Sequence, residues 1–197
     1  MHRANTIVAW LFSLILVGLE IYALATDSRY KWDFIFLMIL LWGVFAVRNW
    51  INLHPVHYAL LGVFLLLHDL GMFGFYMTFP LGVEYDYWVH GFFGFVASLI
   101  VCRAYHFHGH YSPAFIVVAT MVVMLGFSAF HEIFEYVGAL LVGEGEGVLF
   151  IGAGDLDEWD TQKDMVNNVI GAAIGLSLYY AVWFWHGSGR NLAKSEN

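Results

Sequence analysis

The sequence predicts an all-α, polytopic membrane protein folded as one bundle of about six transmembrane helices. Three observations support this fold class. The chain of 197 residues is 60% hydrophobic. Only 12% of its residues are charged, whereas an average soluble domain has about 25%. Its apolar stretches also have the length of about 20 residues that a helix needs to cross a bilayer. With no internal repeat, residues 1–197 are predicted to form a single membrane domain.

The hydrophobic pattern assigns the spans in order along the chain. The first follows Arg3 and is also compatible with a cleavable signal peptide, but it extends past Glu20, which favours a permanent helix. The fifth is long enough to tilt or to add a turn outside the bilayer. The six predicted spans are residues 6–25, 33–51, 56–76, 85–105, 113–142 and 163–186.

The basic residues indicate an orientation, because Lys and Arg are enriched on the cytoplasmic side of membrane proteins. With the N-terminus inside, the inner segments contain five basic residues and the outer segments contain three. The inner group is Arg3, Arg48, Arg103, Arg190 and Lys194, and the outer group is Arg29, Lys31 and Lys163. We therefore expect cytoplasmic N- and C-termini. The opposite orientation would move the polar residues described next to the cytoplasmic half.

Acidic and imidazole side chains interrupt the apolar spans at one depth. Such groups cost about 2.5–3.5 kcal/mol each at the centre of a membrane helix and tend to mark functional sites. Because separate helices place them at a similar level, we predict one polar pocket near the outer end of the bundle. Its candidate residues are Glu20, Asp69, Tyr76, Asp86, His90, His131, Glu132, Glu135, Asp160, Asp164 and Asn168.

Residue spacing predicts which side chains share a helix face, since positions four apart are neighbours on an α-helix. Asp86 with His90 and His131 with Glu135 are such pairs, and the series Asp160, Asp164, Asn168 follows the same rule. Small residues let membrane helices approach closely. The glycines expected to do so are Gly91, Gly94, Gly138, Gly171 and Gly175.

Carboxylate and imidazole ligands on facing helices are typical of metal sites in helical bundles. A mixed oxygen and nitrogen set suits a divalent Zn, Mn or Fe ion. The predicted ligands are Asp69 (with His68 as its substitute), Asp86, His90, His131, Glu135 and Asp164. Glu132 or Asp160 is the predicted general base, and Asn168 and Tyr76 are predicted to orient the site.

Other interpretations of the same residues remain open. Each histidine and acid, taken alone, is compatible with a hydrogen-bonded packing role. Intramembrane acids and histidines also form proton relays and cation sites, which fits a small cation- or proton-coupled transporter. A third candidate is a non-catalytic lipid-binding protein. Membrane lipids and a second copy of the chain are the expected partners, while the net charge of −8 argues against nucleic acid.

The chain resembles the YjdF-like family of bacterial inner-membrane proteins on its polar segments. The match spans about residues 57–176, and its most specific part is residues 155–175. The resembling residues are His68-Asp69-Leu70-Gly71, Tyr85-Asp86, His90, and the segments 131–136 and 159–168. This resemblance implies the bacterial inner membrane and the same site residues, but no substrate.

The sixth span adds a second resemblance. Its series Asp164, Asn168, Gly171, Gly175 is also similar to the VanZ-like motif, which by analogy points to envelope lipids or glycans. Together these expectations describe a metal-dependent hydrolase or transferase acting on a lipid or lipid-linked phosphate near the outer leaflet.

Overall fold

A computed structural model describes the backbone of residues 2–26, 33–142 and 159–195, and the side chains of residues 3–26, 34–134, 136–137 and 159–183. Five helices are long and apolar enough to cross a membrane, and a sixth, α2, is shorter. The helices are α1 His2–Ala25, α2 Asp33–Ala46, α3 Pro55–Met72, α4 Tyr85–His108, α5 Pro113–Val142 and α6 Asp160–Ser195. Two short 3₁₀ turns, Phe75–Met77 and Pro80–Gly82, connect α3 to α4. This architecture confirms the predicted all-α, polytopic fold.

Two helices end earlier than predicted. The second ends at Ala46 instead of residue 51, and the following residues form turns in which Asn52 has a φ of 48°. The third ends at Met72 instead of residue 76, because Gly74 adopts a left-handed φ of 102°. Glycine just after a helix commonly takes this conformation and ends the helix. Tyr76 therefore lies in a 3₁₀ turn that folds back toward α3.

Three other helices are longer than predicted. The first begins at His2, four residues before its predicted start, and the fourth continues to His108, three residues beyond its predicted end. The sixth begins at Asp160, three residues before its predicted start, and ends at Ser195, nine residues beyond its predicted end. Most of the additional residues are polar, so the hydrophobic pattern did not include them. The earlier start of α6 makes Asp160 and Asp164 successive turns of one helix.

Successive helices run in opposite directions, which gives the bundle two distinct ends. Asn5 Nδ2 donates to the carbonyl oxygen of Leu53 at 3.0 Å, which joins the start of α1 to the start of α3. Arg103 Nε, near the end of α4, donates to the carbonyl oxygen of Asn52 at 2.6 Å. The end of α3, the start of α4 and the start of α6 therefore meet at the opposite end, where the predicted polar residues lie.

The first three helices share an apolar core. Leu16 of α1, Leu41 of α2 and Leu65 of α3 are each completely buried in it. The buried hydroxyl of Tyr58 in this core is hydrogen-bonded: its Oη donates to the carbonyl oxygen of Leu41 at 2.9 Å. Large apolar side chains on the outward faces, such as Ile39, remain exposed and suit contact with lipid.

Backbone contact between α4 and α6 is set by glycine. A Cβ atom at Gly171 would lie 1.8 Å from the carbonyl oxygen of Gly91, and one at Gly94 would lie 2.0 Å from the carbonyl oxygen of Asn168. The predicted close approach is therefore confirmed for these positions and for Gly175, whose Cβ would lie 2.6 Å from the Phe95 carbonyl oxygen. The surroundings of Gly138 lie outside the described residues.

Candidate functional site

Three side chains converge where the first turns of α4 and α6 pack together. Asp86 and His90 lie one turn apart on α4, and Asp164 faces them from α6. His90 Nε2 is 3.5 Å from Asp86 Oδ1 and 3.6 Å from Asp164 Oδ2. One potential ligand atom from each residue lies within 4.8 Å of the other two. We call this group the Asp–His–Asp triad.

The distances within the triad are those of ligands around a shared ion. Direct hydrogen bonds between a charged nitrogen and a carboxylate are about 2.7–2.9 Å long, which is shorter than both distances to His90. Two ligand atoms bound at about 2.1 Å to a tetrahedral metal lie about 3.4 Å apart. Both distances from His90 Nε2 to the carboxylate oxygens are close to that value, which suits a small divalent cation.

Further negative groups surround the triad. Glu132 of α5 and Asp160 at the start of α6 both interact electrostatically with Asp164, as does Asp86. Asp164 is only 3% exposed, and its buried Oδ1 atom has no hydrogen-bond partner among the residues that the structure describes. Buried carboxylates need a proton, a cation or donor groups to offset the loss of water. The chemistry of this donor set therefore also fits a divalent cation.

Asn168 holds the imidazole ring of the triad in place. This residue is 1% exposed, and its Nδ2 atom lies 3.2 Å from His90 Nδ1. The same atom donates to Ser128 Oγ of α5 at 2.8 Å. Metal-binding histidines usually have their second nitrogen held by such a neighbouring group. Asn168 therefore contacts the His90 ring, and the orienting role assigned to it from the sequence stays a prediction.

Ser128 is a supporting residue that the sequence reasoning missed. It is completely buried and links α5 to the amide of Asn168. Its only signal in the sequence is its position three residues before His131, which places both on one helix face. A serine in a long apolar helix usually hydrogen-bonds to a backbone carbonyl of its own helix. Its presence alone therefore does not indicate a contact with the site.

Three histidines line one cavity beside the triad: His68 of α3, His90 of α4 and His131 of α5. The rings of His90 and His131 have their centroids 5.8 Å apart. His131 also interacts electrostatically with Asp86, although it is not one of the three triad residues. Tyr76 Oη lies 2.8 Å from His68 Nδ1, so this contact joins it to the wall of the cavity.

Asp69 and His131 are predicted ligands that lie outside the triad. Asp69 is buried, but its neighbouring charged group is Glu20 of α1. Successive residues point about 100° apart around a helix, so it is His68 that faces the cavity. The structure therefore favours His68 over Asp69 at this position. The side chain of Glu135 lies outside the residues that the structure describes.

Comparison with known proteins gives a family but no activity. Residues 7–186 match the family described as predicted membrane protein DUF2238. The chain is similar to the inner membrane protein YjdF of Escherichia coli (strain K12), with 31% identity over an alignment of 135 residues, and the match covers 61% of this chain. The match covers 62% of that relative, somewhat less than two thirds of its length. No solved structure matches the chain.

Proposed function

Because the chain belongs to the DUF2238 family of multi-pass inner-membrane proteins, whose description names no activity, we propose its function from the chemistry of the site. The proposed function is that of an intramembrane, metal-dependent hydrolase or transferase acting on a lipid or lipid-linked phosphate. One observation carries the proposal: Asp86, His90 and Asp164 have the mutual spacing of metal ligands in a buried, acidic environment.

The triad would hold a Zn, Mn or Fe ion, since these ions accept mixed carboxylate and imidazole ligands. A metal held by these residues would act as a Lewis acid and would allow a water molecule to lose a proton near neutral pH. Glu132 or Asp160 would accept that proton. The water oxygen would bond to phosphorus, the bond from phosphorus to the leaving oxygen would break, and the proton held by Glu132 or Asp160 would pass to the leaving oxygen.

The location of the triad supports a substrate from the membrane. The first turns of α4 and α6 lie at one end of the bundle, and we expect this end to reach the level of the lipid headgroups. The outward faces of the same helices expose apolar side chains such as Trp88 and Val166. A phosphate group attached to a lipid would reach this depth without leaving the membrane.

Metal analysis of the purified protein tests the proposal. We expect the wild type to retain a stoichiometric transition metal, and His90→Ala and Asp164→Asn to lose it, because each removes a ligand. Asp69→Asn is the matched control, since Asp69 is a buried carboxylate outside the triad, and it should keep the metal. Metal-free wild type, even after purification without chelators and with metal added back, would contradict the proposal.

A second candidate, a cation- or proton-coupled transporter, is favoured by one further observation. Ionisable side chains continue away from the triad through His131 and His68 to Asp69 and Glu20, and so extend from α5 to α1. Rows of such residues can form ion or proton pathways. Protein-dependent proton or cation flux into proteoliposomes, with no stable metal in the purified protein, would favour this candidate over the enzyme.

A further inference from the structure

We propose that the cavity beside the Asp–His–Asp triad binds the hydrocarbon tail of a membrane phospholipid, which enters sideways between α2 and α5. The cavity has a volume of about 180 Å³. The proposal deepens the proposed function by assigning a tail site to its substrate. Tail binding itself does not require the metal, so the two proposals can fail separately.

The lining of the cavity combines an apolar wall with a polar inner side. Its apolar residues come from four helices and include Leu37 and Leu40 of α2, Leu65 of α3, Phe93 of α4 and Phe127 of α5. The polar side consists of the three histidines described above, one of which belongs to the triad. A molecule with an apolar chain and a polar group would therefore find suitable surroundings for both parts.

The mouth of the cavity lies between α2 and α5. Of the helices around the cavity, α2 packs on α1 and α3, whereas α5 packs on α4 and α6. Leu40 and Phe127 line the cavity from the two sides and are still 40% and 52% exposed. Side chains that line a cavity and also reach the outer surface mark its opening.

The position of the mouth along the bundle axis shows whether it faces water or the hydrocarbon of the bilayer. The rings of Phe36 and Phe134 meet at 5.7 Å between centroids, near the ends of α2 and α5 that lie on the triad side. Leu40 is one turn further into α2, and Phe127 is two turns further into α5. The opening is therefore nearer the middle of the membrane than the Phe36–Phe134 contact, and a molecule entering there comes from the hydrocarbon region.

A lipid tail fits this cavity better than water does. Ordered water in a cavity needs about two to four polar partners, and most of the lining is leucine and phenylalanine. A tail that moves from the bilayer into the cavity exchanges one apolar environment for another. It also restores the dispersion contacts that an unfilled space beside these side chains would lack. The polar part of the same lipid molecule would then lie against His68, His90 and His131.

Lipid retention tests the tail site with matched variants. The protein would be reconstituted in vesicles of phosphatidylethanolamine and phosphatidylglycerol, extracted in mild detergent, and analysed by native mass spectrometry. Leu40→Trp places a bulky ring in the mouth. Ile39→Trp is the control, because Ile39 is the adjacent residue, is 63% exposed and does not line the cavity. We expect wild type and Ile39→Trp to retain phospholipid and Leu40→Trp to retain several-fold less.

A second pair repeats the test from the opposite side of the mouth. Phe127→Trp changes a residue that lines the cavity. Phe130→Trp is its control, because Phe130 lies on the same helix, is 67% exposed and does not line the cavity. This pair decides the question if Leu40→Trp proves unstable in thermal unfolding. Equal lipid retention by the cavity variants and their controls would overturn the tail site.

Metal content measured on the same samples separates the two proposals. Selective lipid loss from the cavity variants, in preparations that contain no metal, would uphold the tail site and contradict the metalloenzyme. Full metal content with unchanged lipid retention in every variant would contradict the tail site alone.

Discussion

Asn168 determines which nitrogen of His90 carries the ring proton. With Nδ2 against His90 Nδ1, as in the structure, the amide donates to Nδ1 and the ring proton sits on Nε2, facing Asp86 and Asp164. Rotating the amide by half a turn would place Oδ1 there. It would then accept a hydrogen bond from Nδ1, and Nε2 would be free to bind a cation. One side chain can thus support both the metal-free and the metal-bound form.

This role predicts distinct effects of two substitutions at position 168. Asn168→Ala should weaken metal affinity by about 10–100-fold, the usual cost of losing the partner of a metal-binding histidine. Asn168→Asp should retain the affinity, because a carboxylate accepts a hydrogen bond from Nδ1 and leaves Nε2 available. Competition with a chelator of known affinity measures both values.

Asn167→Ala is the control for these variants. Asn167 is the neighbouring amide, and its Nδ2 donates to the carbonyl oxygen of Lys163 at 2.9 Å, within α6. The Asn167→Ala substitution should leave metal affinity unchanged. Wild-type affinity in Asn168→Ala would show that the amide does not position His90.

Most of the candidate site could be predicted from residue spacing, but not all of it. The four-residue intervals place Asp86 with His90 and Asp164 with Asn168, and the structure confirms that each pair shares a face. The choice between His68 and Asp69 depends on how α3 is rotated about its axis. Both residues are buried, and spacing within one helix does not reveal which of them faces α4.

At the level of helices, the contact between α4 and α6 positions the triad. Gly171→Ala should disrupt this contact, because the added Cβ would lie 1.8 Å from the backbone oxygen of Gly91. A backbone atom cannot move aside as a flexible side chain can. We expect the free energy of unfolding to fall by about 1–3 kcal/mol, the usual cost of overpacking, and the metal content to fall with it. Thermal unfolding in detergent and metal analysis measure the two effects.

Gly126→Ala is the matched control within α5. No atom of the described part of the chain lies within 4 Å of a Cβ at this position, so the substitution should be neutral or stabilising by up to about 1 kcal/mol, the difference in helix propensity. Equal stability of the Gly171→Ala and Gly126→Ala variants would contradict close backbone packing between α4 and α6.

Helix positions follow from the sequence more directly than helix ends do. The apolar stretches are long enough to identify each span, because only a helix satisfies its own backbone hydrogen bonds in lipid. The predicted end of α3 is wrong because glycine can adopt either the helical conformation or the left-handed conformation that follows the end of a helix. The φ of 102° at Gly74 decides between them, and that angle depends on the fold of the connection to α4.

At the scale of the whole molecule, α4 is the central helix. It packs against α3, α5 and α6, while α1 and α2 pack against α3 on the other side. The triad and the cavity therefore lie where both groups of helices meet. This arrangement explains how residues from distant parts of the sequence reach one site, and why a side opening between α2 and α5 leads directly to His90.

The two ends of the bundle differ in charge, which predicts its orientation. Arg48 and Arg103 lie at the end opposite the triad, where α2 and α4 end. Lys163 lies at the triad end, in the first turn of α6. Because Lys and Arg favour the cytoplasmic side, the end with the arginines should be inside and the triad should lie near the outer surface.

Single cysteines placed in the two connections test this orientation. Leu81→Cys lies between α3 and α4 at a position that is 91% exposed, and His110→Cys lies at an exposed position between α4 and α5. The background would be Cys102→Ala, which removes the buried native thiol. A membrane-impermeant maleimide should label Leu81→Cys in intact cells and His110→Cys only after lysis. The reverse pattern would place the triad at the cytoplasmic face, so that its lipid substrate would come from the inner leaflet.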